Sequence, residues 1–336
     1  MSETIPQVLQ SQRAGAALIT GGAGFIGSHL ADKLLSEQWS VTVADNFEPF
    51  YDTRIKWENV SGNQAHPRYR LVQVDIREHP DVLMKHLAGS YDVIVHLAAK
   101  AGVRPSLADP VGYQQTNVIG TQNMLELARR LNVKQFVFAS SSSVYGVNPD
   151  VPWREENAVP RPISPYAATK LSGELMGHTY SHLYGIRFVA LRFFTVYGPR
   201  QRPDLAIHKM VRQLFENQPL PIYGDGSTRR DYTYIDDILT GVVAAMKYTA
   251  SSYEVINLGG SHTISLMEMV RCIERAVGIQ AQLHFQPEQP GDVPQTYADI
   301  AKASSLLGYQ PSMDFESGVV RFVDWFKSHS SFGKER

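Results

Sequence analysis

Tyr166 and Lys170 stand four apart in Ser164-Pro165-Tyr166-Ala167-Ala168-Thr169-Lys170. A proline opens a helix readily, and on a helix this spacing puts both side chains on one face. A lysine ammonium beside a phenol favours the phenolate, so a tyrosine whose ordinary pKa is about 10 becomes a usable proton acceptor nearer neutral pH. Upstream, Phe138-Ala139 runs into Ser140, Ser141, Ser142 and Ser143, followed by Val144-Tyr145-Gly146. Strand residues before the run and a Tyr-Gly turn after it mark a polar strand end rather than a linker. Hydroxyls there would sit at the edge where open α/β sheets bind their ligands.

A second group of residues suits a dinucleotide. Gly21, Gly24 and Gly27 fall between a strand pattern and a helix pattern in Leu18 to Leu30 (LITGGAGFIGSHL). The first glycine allows a tight turn, the second lets a pyrophosphate approach the backbone, and the third lets helix and strand lie close. A helix starting at Phe25 would offer free N–H groups and its positive dipole end to phosphate. Val43-Ala44-Asp45 ends the next strand about 20 residues on, where a carboxylate accepts the adenosine ribose hydroxyls. Asp45 would repel a 2′-phosphate and the nearest arginine is Arg54, so the cofactor is expected to be NAD rather than NADP. Asp75, after the third strand, is expected either to face the adenine or to cap the following helix.

The elements that must hold these residues follow from periodicity. Short β-branched runs predict strands at Ala16–Thr20, Val41–Asp45, Tyr69–Val74, Val93–Leu97, Gln135–Ser140 and Arg187–Phe193. Helical spacing of apolar residues predicts helices at Phe25–Glu37, Asp81–Leu87, Tyr113–Leu131 and Tyr166–Tyr184. The alternation is that of a doubly wound α/β parallel sheet covered by helices. Beyond Pro199 the rhythm loosens. Pro203, Pro219 and Pro221 punctuate a helix at Leu205–Glu216, with further helices at Asp236–Lys247 and Ser265–Val277. This predicts a smaller C-terminal lobe, with Tyr232–Ile235 and Val255–Leu258 returning to the larger domain.

Composition sets the outer limits. Of 336 residues, 43% are hydrophobic and 19% charged, and the net charge is −1, which suits an ordinary globule and excludes a polyanion-coating role such as nucleic-acid binding. The single cysteine, Cys272, cannot form an internal disulfide and has no metal-binding partners; it reads as a buried packing residue in a reducing compartment. No run approaches the roughly 20 apolar residues of a membrane span, and residues 1–13 do not read as a secretion signal. A cytoplasmic protein with a loose tail over residues 1–14 is expected.

Taken together, Gly-x-x-Gly-x-x-Gly, the serine after strand five, Tyr-x-x-x-Lys and Leu191 to Pro199 (LRFFTVYGP) resemble the extended short-chain dehydrogenase/reductases that act on nucleotide-sugars. The resemblance covers residues 15–327. Within that group the chain is most similar to the UDP-glucuronate 4-epimerases, through Ala101-Gly102-Val103-Arg104, the four serines, Thr195 to Asp204 (TVYGPRQRPD) and Arg229 to Asp237 (RRDYTYIDD). It implies a Rossmann domain over residues 15–199, with segments near 232–260 returning to it, and mainly a nucleotide-sugar lobe over 200–330. Carried over by position, Ser141 would hydrogen-bond the sugar O4, Tyr166 would be the base, and Lys170 would serve tyrosine and nicotinamide ribose. Phe25, Ile26, Asn46, Ile76, Leu97, Ala98, Ala99, Asn117, Ser140 and Phe193 would line the NAD channel. Arg104, Arg230 and Asp292 would meet the substrate, the last two at its diphosphate and uridine ribose; the bland alternatives are a surface pair of Arg230 with Asp231 or Asp225, and a turn cap by Asp292.

The same resemblance separates reactions. Oxidation at sugar C4 gives a 4-keto sugar, from which 4,6-dehydratases proceed with an Asp-Glu pair; this chain has Ser142 and Ser143 instead. UDP-xylose synthases typically carry a glutamate at the position of Ser143. An epimerase acting on glucuronate must keep its β-keto acid from losing CO₂, and Ser142, Ser143, Thr195 and Arg202 suit that grip, with Arg200 as the alternative arginine. The expected partner is therefore a UDP-sugar, and relatives imply a homodimer through Tyr113–Leu131 and Tyr166–Tyr184. The competing readings are a neutral-sugar 4-epimerase, for UDP-glucose or UDP-N-acetylglucosamine, and a catalytically silent NAD-binding regulator, against which intact Ser141, Tyr166 and Lys170 argue.

Overall fold

In the computed structural model, which describes residues 15–156, 161–288 and 293–329, burial alternates along the strands in a way that dictates layers. Ala17 and Ile19 belong to one core and Leu18 to another; Val93 and Val95 oppose Ile94, and Val189 and Leu191 oppose Phe188 and Ala190. Both faces of the sheet are thus covered, as a parallel sheet requires. Among the described residues the strands are β1 Ala16–Thr20, β2 Ser40–Asp45, β3 Tyr69–Gln73, β4 Val93–His96, β5 Gln135–Ser141, β6 Arg187–Phe193, β7 Thr195–Tyr197, β8 Leu220–Tyr223, β9 Arg229–Tyr234, β10 Tyr253–Leu258, β11 Thr263–Ser265 and β12 Leu283–Gln286. Seven of them form the parallel sheet in the order β10-β6-β5-β4-β1-β2-β3. The chain steps outward from β1 to β3 and crosses back to β4, so strand order reverses between β1 and β4.

Helices Phe25–Ser36 and Ile235–Met246 cover one face; Pro80–Leu87, Gly120–Arg130 and Pro165–Tyr184 cover the other. The expected strands and crossover helices lie within a residue or two of these bounds, except that the helix expected from Tyr113 begins earlier. It runs as Pro110–Tyr113, a π-helical turn Gln114–Ile119, then Gly120–Arg130. A π turn often marks a functional position, and Asn117 lies in it.

Of the two segments expected to return to the larger domain, Val255–Leu258 lies in β10, at the edge of the large sheet. Tyr232–Ile235 lies mostly in β9, which pairs in a separate sheet of order β11-β9-β7, while Tyr232, Tyr234 and Ile235 pack in the same core as Ala17 and Ile19. The reason is local. Strand β7 follows β6 after one residue, Phe194, and there the chain leaves the large sheet and offers β9 a partner. Among the described residues of the C-terminal part, Ile207, Val211, Met269, Val319 and Phe322 join the cluster that includes Ala17 and Ile19. Cys272 is only partly buried against this cluster, not fully as expected.

The helix Pro165–Tyr184 places the Tyr-x-x-x-Lys pair, and its ends are specified. Ser164 caps it by accepting from the Ala167 N–H, Pro165 occupies its first turn, and Gly185 ends it at φ 65°. Glycines let it lie on the sheet: a Cβ at Gly173 would stand 2.3 Å from the Phe138 ring, and one at Gly177 2.2 Å from the Phe188 ring. Gly177→Ala should therefore lower unfolding free energy in urea by about 1–3 kcal/mol through overpacking. A gain of up to about 1 kcal/mol, the helix-propensity effect alone, would show that the approach is not tight.

Candidate active site

The reversal of strand order opens a crevice at the C-terminal edge of the sheet, and a cleft of about 780 Å³ fills it. Strands β1, β4, β5 and β6 are in register and all end there, which brings Gly21, Leu97, Ala139 to Ser143 and Phe193 to its walls. Gly24, Phe25, Ile26, Gly27, Asn46, Ile76, Ala98 and Ala99 line it as well. The turn is built for close approach. Gly21 has φ +69°, and a Cβ at Gly27 would meet the Gly21 carbonyl oxygen at 2.4 Å. The helix Phe25–Ser36 starts at Gly24 with no side-chain cap, leaving its first-turn amides to serve an anion.

Asp45 is buried at the end of β2. Its carboxylate accepts the Ala23 N–H at 3.1 Å and the Phe47 N–H at 2.8 Å, so it also shapes the glycine turn. The cation beside it is Lys56, 3.7 Å away and nearly buried, rather than Arg54, which forks Asp52 at the surface. Of the two roles expected for Asp75, capping the following helix is not the one it takes. Against a burial that would raise it, the Arg77 guanidinium and N–H and the Asn46 amide hold its carboxyl down to about 2. It faces an adjoining depression rather than the cleft, and the following helix is capped by His79. Asn117 does not line the cleft either. It is buried one layer behind, donating to the Lys100 carbonyl at 2.9 Å and to Thr169 Oγ1 at 3.0 Å, and accepting the Lys100 N–H at 2.8 Å. Behind it, buried His96 lies between Thr20 Oγ1 (2.7 Å) and Thr121 Oγ1 (3.0 Å), and burial drops its pKa to about 3.

At the centre of the cleft the Lys170 Nζ donates to the Ala139 carbonyl at 2.7 Å, 5.1 Å from the Phe138 ring centre and 5.9 Å from that of Tyr166. Burial lowers its pKa to about 7. Burial also pushes the Tyr166 phenol up, while a hydrogen bond with Ser141 and the charge of Arg202 pull it back. Ser141 Oγ accepts the Ser143 N–H at 3.2 Å and donates to Ser143 Oγ at 3.1 Å. Ser140 is committed elsewhere: its hydroxyl donates to buried Glu174, which forks Arg192 at 2.9 and 2.8 Å. Ser140 thus contributes backbone to the cleft wall.

Thr195, Ser142 and Arg202 also line the cleft. Arg202 donates to Asp204 through Nε (3.0 Å) and Nη2 (2.7 Å), and to the Ala101 carbonyl at 3.3 Å, with Phe50 5.2 Å beneath it. Arg200 is turned away and paired with Asp32 at 2.7 Å, which leaves Arg202 as the arginine of this site. Arg104 reaches the Tyr223 ring at 5.2 Å, on the small lobe. Arg230 donates to the Arg229 carbonyl at 2.8 Å. Asp292 lies outside the described residues.

The family model for GDP-mannose 4,6 dehydratase matches residues 18–322. The chain belongs to the extended short-chain dehydrogenase/reductases. This dehydrogenase/reductase is 40% identical over 317 residues to the UDP-glucuronate 4-epimerase of Thermodesulfobacterium geofontis, covering 94% of this chain and 97% of that one. Among solved structures it is similar to UDP-glucuronic acid 4-epimerase from Bacillus cereus in complex with UDP-glucuronic acid and NAD, with TM-score 0.86, 39% identity and 94% and 100% of the two chains covered. It is also similar to UDP-glucose 4-epimerase of Thermotoga maritima with UDP-glucose, with TM-score 0.84, 30% identity and 93% and 99% covered.

Lys56, Tyr51, Lys100 and Asp204 were not singled out from the sequence of this dehydrogenase/reductase. The Lys100 ammonium bridges Asp109 (2.8 Å) and Glu48 (3.7 Å) at the cleft wall. Lys56 follows Asp45 on a helix, Thr53–Ser61, whose pattern is mostly polar, and Lys100 sits in a loop, so neither carries a periodic signal. The RPD sequence holding Asp204 was visible without a role. The buried lysine gives a direct check. In cofactor-free protein, the Lys170 Cε resonance, assigned by its loss in Lys170→Met, should titrate with a midpoint near 7. A midpoint above about 10, the ordinary lysine value, would mean that its ammonium is not desolvated.

Proposed function

We propose that this protein is a UDP-glucuronate 4-epimerase, interconverting UDP-glucuronate and UDP-galacturonate with bound NAD. The observation that carries the reading is that Arg202 and Thr195 share one cleft with Ser141, Ser142, Ser143 and Tyr166. A hexuronate whose O4 meets Tyr166 then has an arginine and several hydroxyls within the same cavity for its carboxylate. The likeness to UDP-glucuronate 4-epimerases over nearly the whole chain supports it. The dehydratase name of the family model does not fit the site as well, because Ser142 and Ser143 replace the acid pair that elimination needs.

NAD fits the glycine turn, whose Cβ-free backbone admits a pyrophosphate, with Asp45 to accept adenosine ribose hydroxyls. When bound, it supplies the reversible acceptor for the hydrogen on sugar C4. The protein's own groups do the rest. Tyr166 takes the O4 proton and returns it, Ser141 hydrogen-bonds the same oxygen, and Lys170 as the ammonium stabilises the phenolate and orients the nicotinamide ribose. Arg202 holds the carboxylate away from alignment with the 4-ketone, so that CO₂ is retained while the sugar turns to offer its other face.

One observation favours a neutral-sugar 4-epimerase: Asp204 already forks Arg202 and balances its charge. Product analysis with a panel of UDP-sugars distinguishes the readings, with UDP-galacturonate from UDP-glucuronate expected as the main conversion. A homodimer also belongs to this proposal. The helices expected to pair expose Ile119, Leu175 and Leu183, and a second copy would cover them. Among the described residues no helix is long and apolar enough to cross a membrane, and the cytoplasm suits the single cysteine.

Two variants test the chemistry. Tyr166→Phe should abolish turnover while the protein still binds NAD. Arg202→Met, which keeps length but removes charge and donors, should lose about 1.5–3 kcal/mol of transition-state binding, on the order of 10- to 100-fold in kcat/KM for UDP-glucuronate, and far less for UDP-glucose. It should also release some UDP-4-keto-pentose, visible by mass spectrometry. Equal losses on both sugars without decarboxylation would return the neutral-sugar epimerase to first place.

A further inference from the structure

Arg202 stands on a loop with little regular structure of its own, yet the loop is tied at nearly every turn. The Gln201 N–H donates to the Gly198 carbonyl at 3.1 Å, and its side-chain amide reaches back to the Val196 carbonyl at 3.2 Å, one residue beyond Thr195. Gln201 is 2% exposed, so this amide is an internal strut rather than a surface contact. On the other side, the Leu205 N–H donates to the Arg202 carbonyl at 3.1 Å. The helix that follows, Ala206–Phe215, starts without a side-chain cap. His208, within its first turns, instead sends Nδ1 back to the Gln201 carbonyl at 2.6 Å.

A carbonyl can only accept, so His208 carries its proton on Nδ1 and donates. The ring has no freedom to turn away. Phe322, Phe326 and Trp325 of the C-terminal helix Phe315–His329 enclose it edge to face, at centroid distances of 5.5, 5.4 and 6.0 Å. Burial lowers the His208 pKa, and Nδ1–H donates to the carbonyl whether or not the ring takes a second proton. Asp204 sets how the Arg202 guanidinium is oriented, but it rides on the same loop. Besides the Arg200–Asp32 pair and the Arg202 bond to the Ala101 carbonyl, that loop is held against Thr195 by the chain from the C-terminal aromatics through His208 to Gln201.

We propose that His208 and Gln201 are positioning residues that set sugar choice and suppress decarboxylation by holding the Arg202 loop in register with Thr195. This rests on the reading of Arg202 as the carboxylate grip. A displacement of about 1 Å in a positioning group can cost on the order of 100-fold. Neither residue lines the cleft, so the effect, transmitted through Arg202, should fall on the acidic sugar.

The test compares two substitutions at His208 with UDP-glucuronate and UDP-glucose as substrates. His208→Phe keeps an aromatic ring in the box but removes the donor. His208→Asn places an amide N–H near the position of Nδ1 and should restore the bond. For His208→Phe the KM for UDP-glucuronate should rise roughly tenfold with kcat within about threefold, UDP-glucose turnover should be unchanged, and UDP-4-keto-pentose should appear. His208→Asn should recover most of the KM and retain CO₂. Added to Arg202→Met, His208→Phe should change kcat/KM by less than about twofold, because the grip it positions is gone. Equal losses on both sugars, with no recovery in His208→Asn, would reduce His208 to core packing and overturn the proposal. So would an unchanged KM in His208→Phe alongside an acid-specific loss in Arg202→Met. An Arg202→Met variant with no acid-specific loss would instead overturn the grip itself, and the strut with it.

Discussion

The Lys170 ammonium lies 2.7 Å from the Ala139 carbonyl oxygen with 4% of the residue exposed, and burying a charge in this way is costly unless the surroundings compensate. The structure compensates partly, with one carbonyl and the faces of Phe138 and Tyr166, and the remaining cost appears as a pKa near 7. Much of the architecture serves this placement. The long helix must lie close enough on β5 for a lysine to reach the strand's last carbonyls, which is why Gly173 and Gly177 meet phenylalanine rings. Its start must be fixed so that Tyr166 emerges one turn before Lys170, which Ser164 and Pro165 accomplish. A lysine whose charge is balanced near neutrality responds strongly to whatever binds beside it, and the phenol next to it responds in turn.

The two ends of the cleft divide the work differently. The strand ends, the glycine turn and the lysine helix form a rigid proton-handling and dinucleotide half. In the proposed function the sugar's acidic group is left to Thr195 at the start of β7, Ser142 and Ser143 just after β5, and Arg202 on the loop that follows β7. That loop belongs to neither sheet, and its geometry is imposed from outside by Asp32, His208 and the C-terminal helix. A change of sugar therefore needs no change in the sheet, which agrees with the spread of substrates among similar structures.

Most of the first half of this design is legible in the sequence because periodicity and short-range spacing encode it. The strands β1 to β6, the glycine turn and the Tyr166–Lys170 face all depend on residues near one another in the chain. What escaped notice depends on contacts distant in sequence. Lys56 reaches Asp45 from a polar helix, Asn117 turns inward to grip the Lys100 backbone, and the Asn46 amide reaches the Asp75 carboxylate from 29 residues away. That Tyr232 pairs in β9 depends on where β7 leaves β6, which no local pattern announces. The helix Phe315–His329 was not among the elements expected, although Val319, Phe322, Val323 and Phe326 stand at helical spacing along it, and no local pattern announces its role in bracing His208.

The central claim is that this cleft inverts C4 of UDP-glucuronate by removing and replacing the same hydrogen, with Tyr166 moving only the O4 proton. UDP-glucuronate deuterated at C4, incubated in ordinary water, tests this directly by NMR of the product. The account predicts UDP-galacturonate with its C4 deuterium retained and no protium entering from solvent. Product carrying solvent hydrogen at C4, or at C5 with C4 unchanged in configuration, would contradict it.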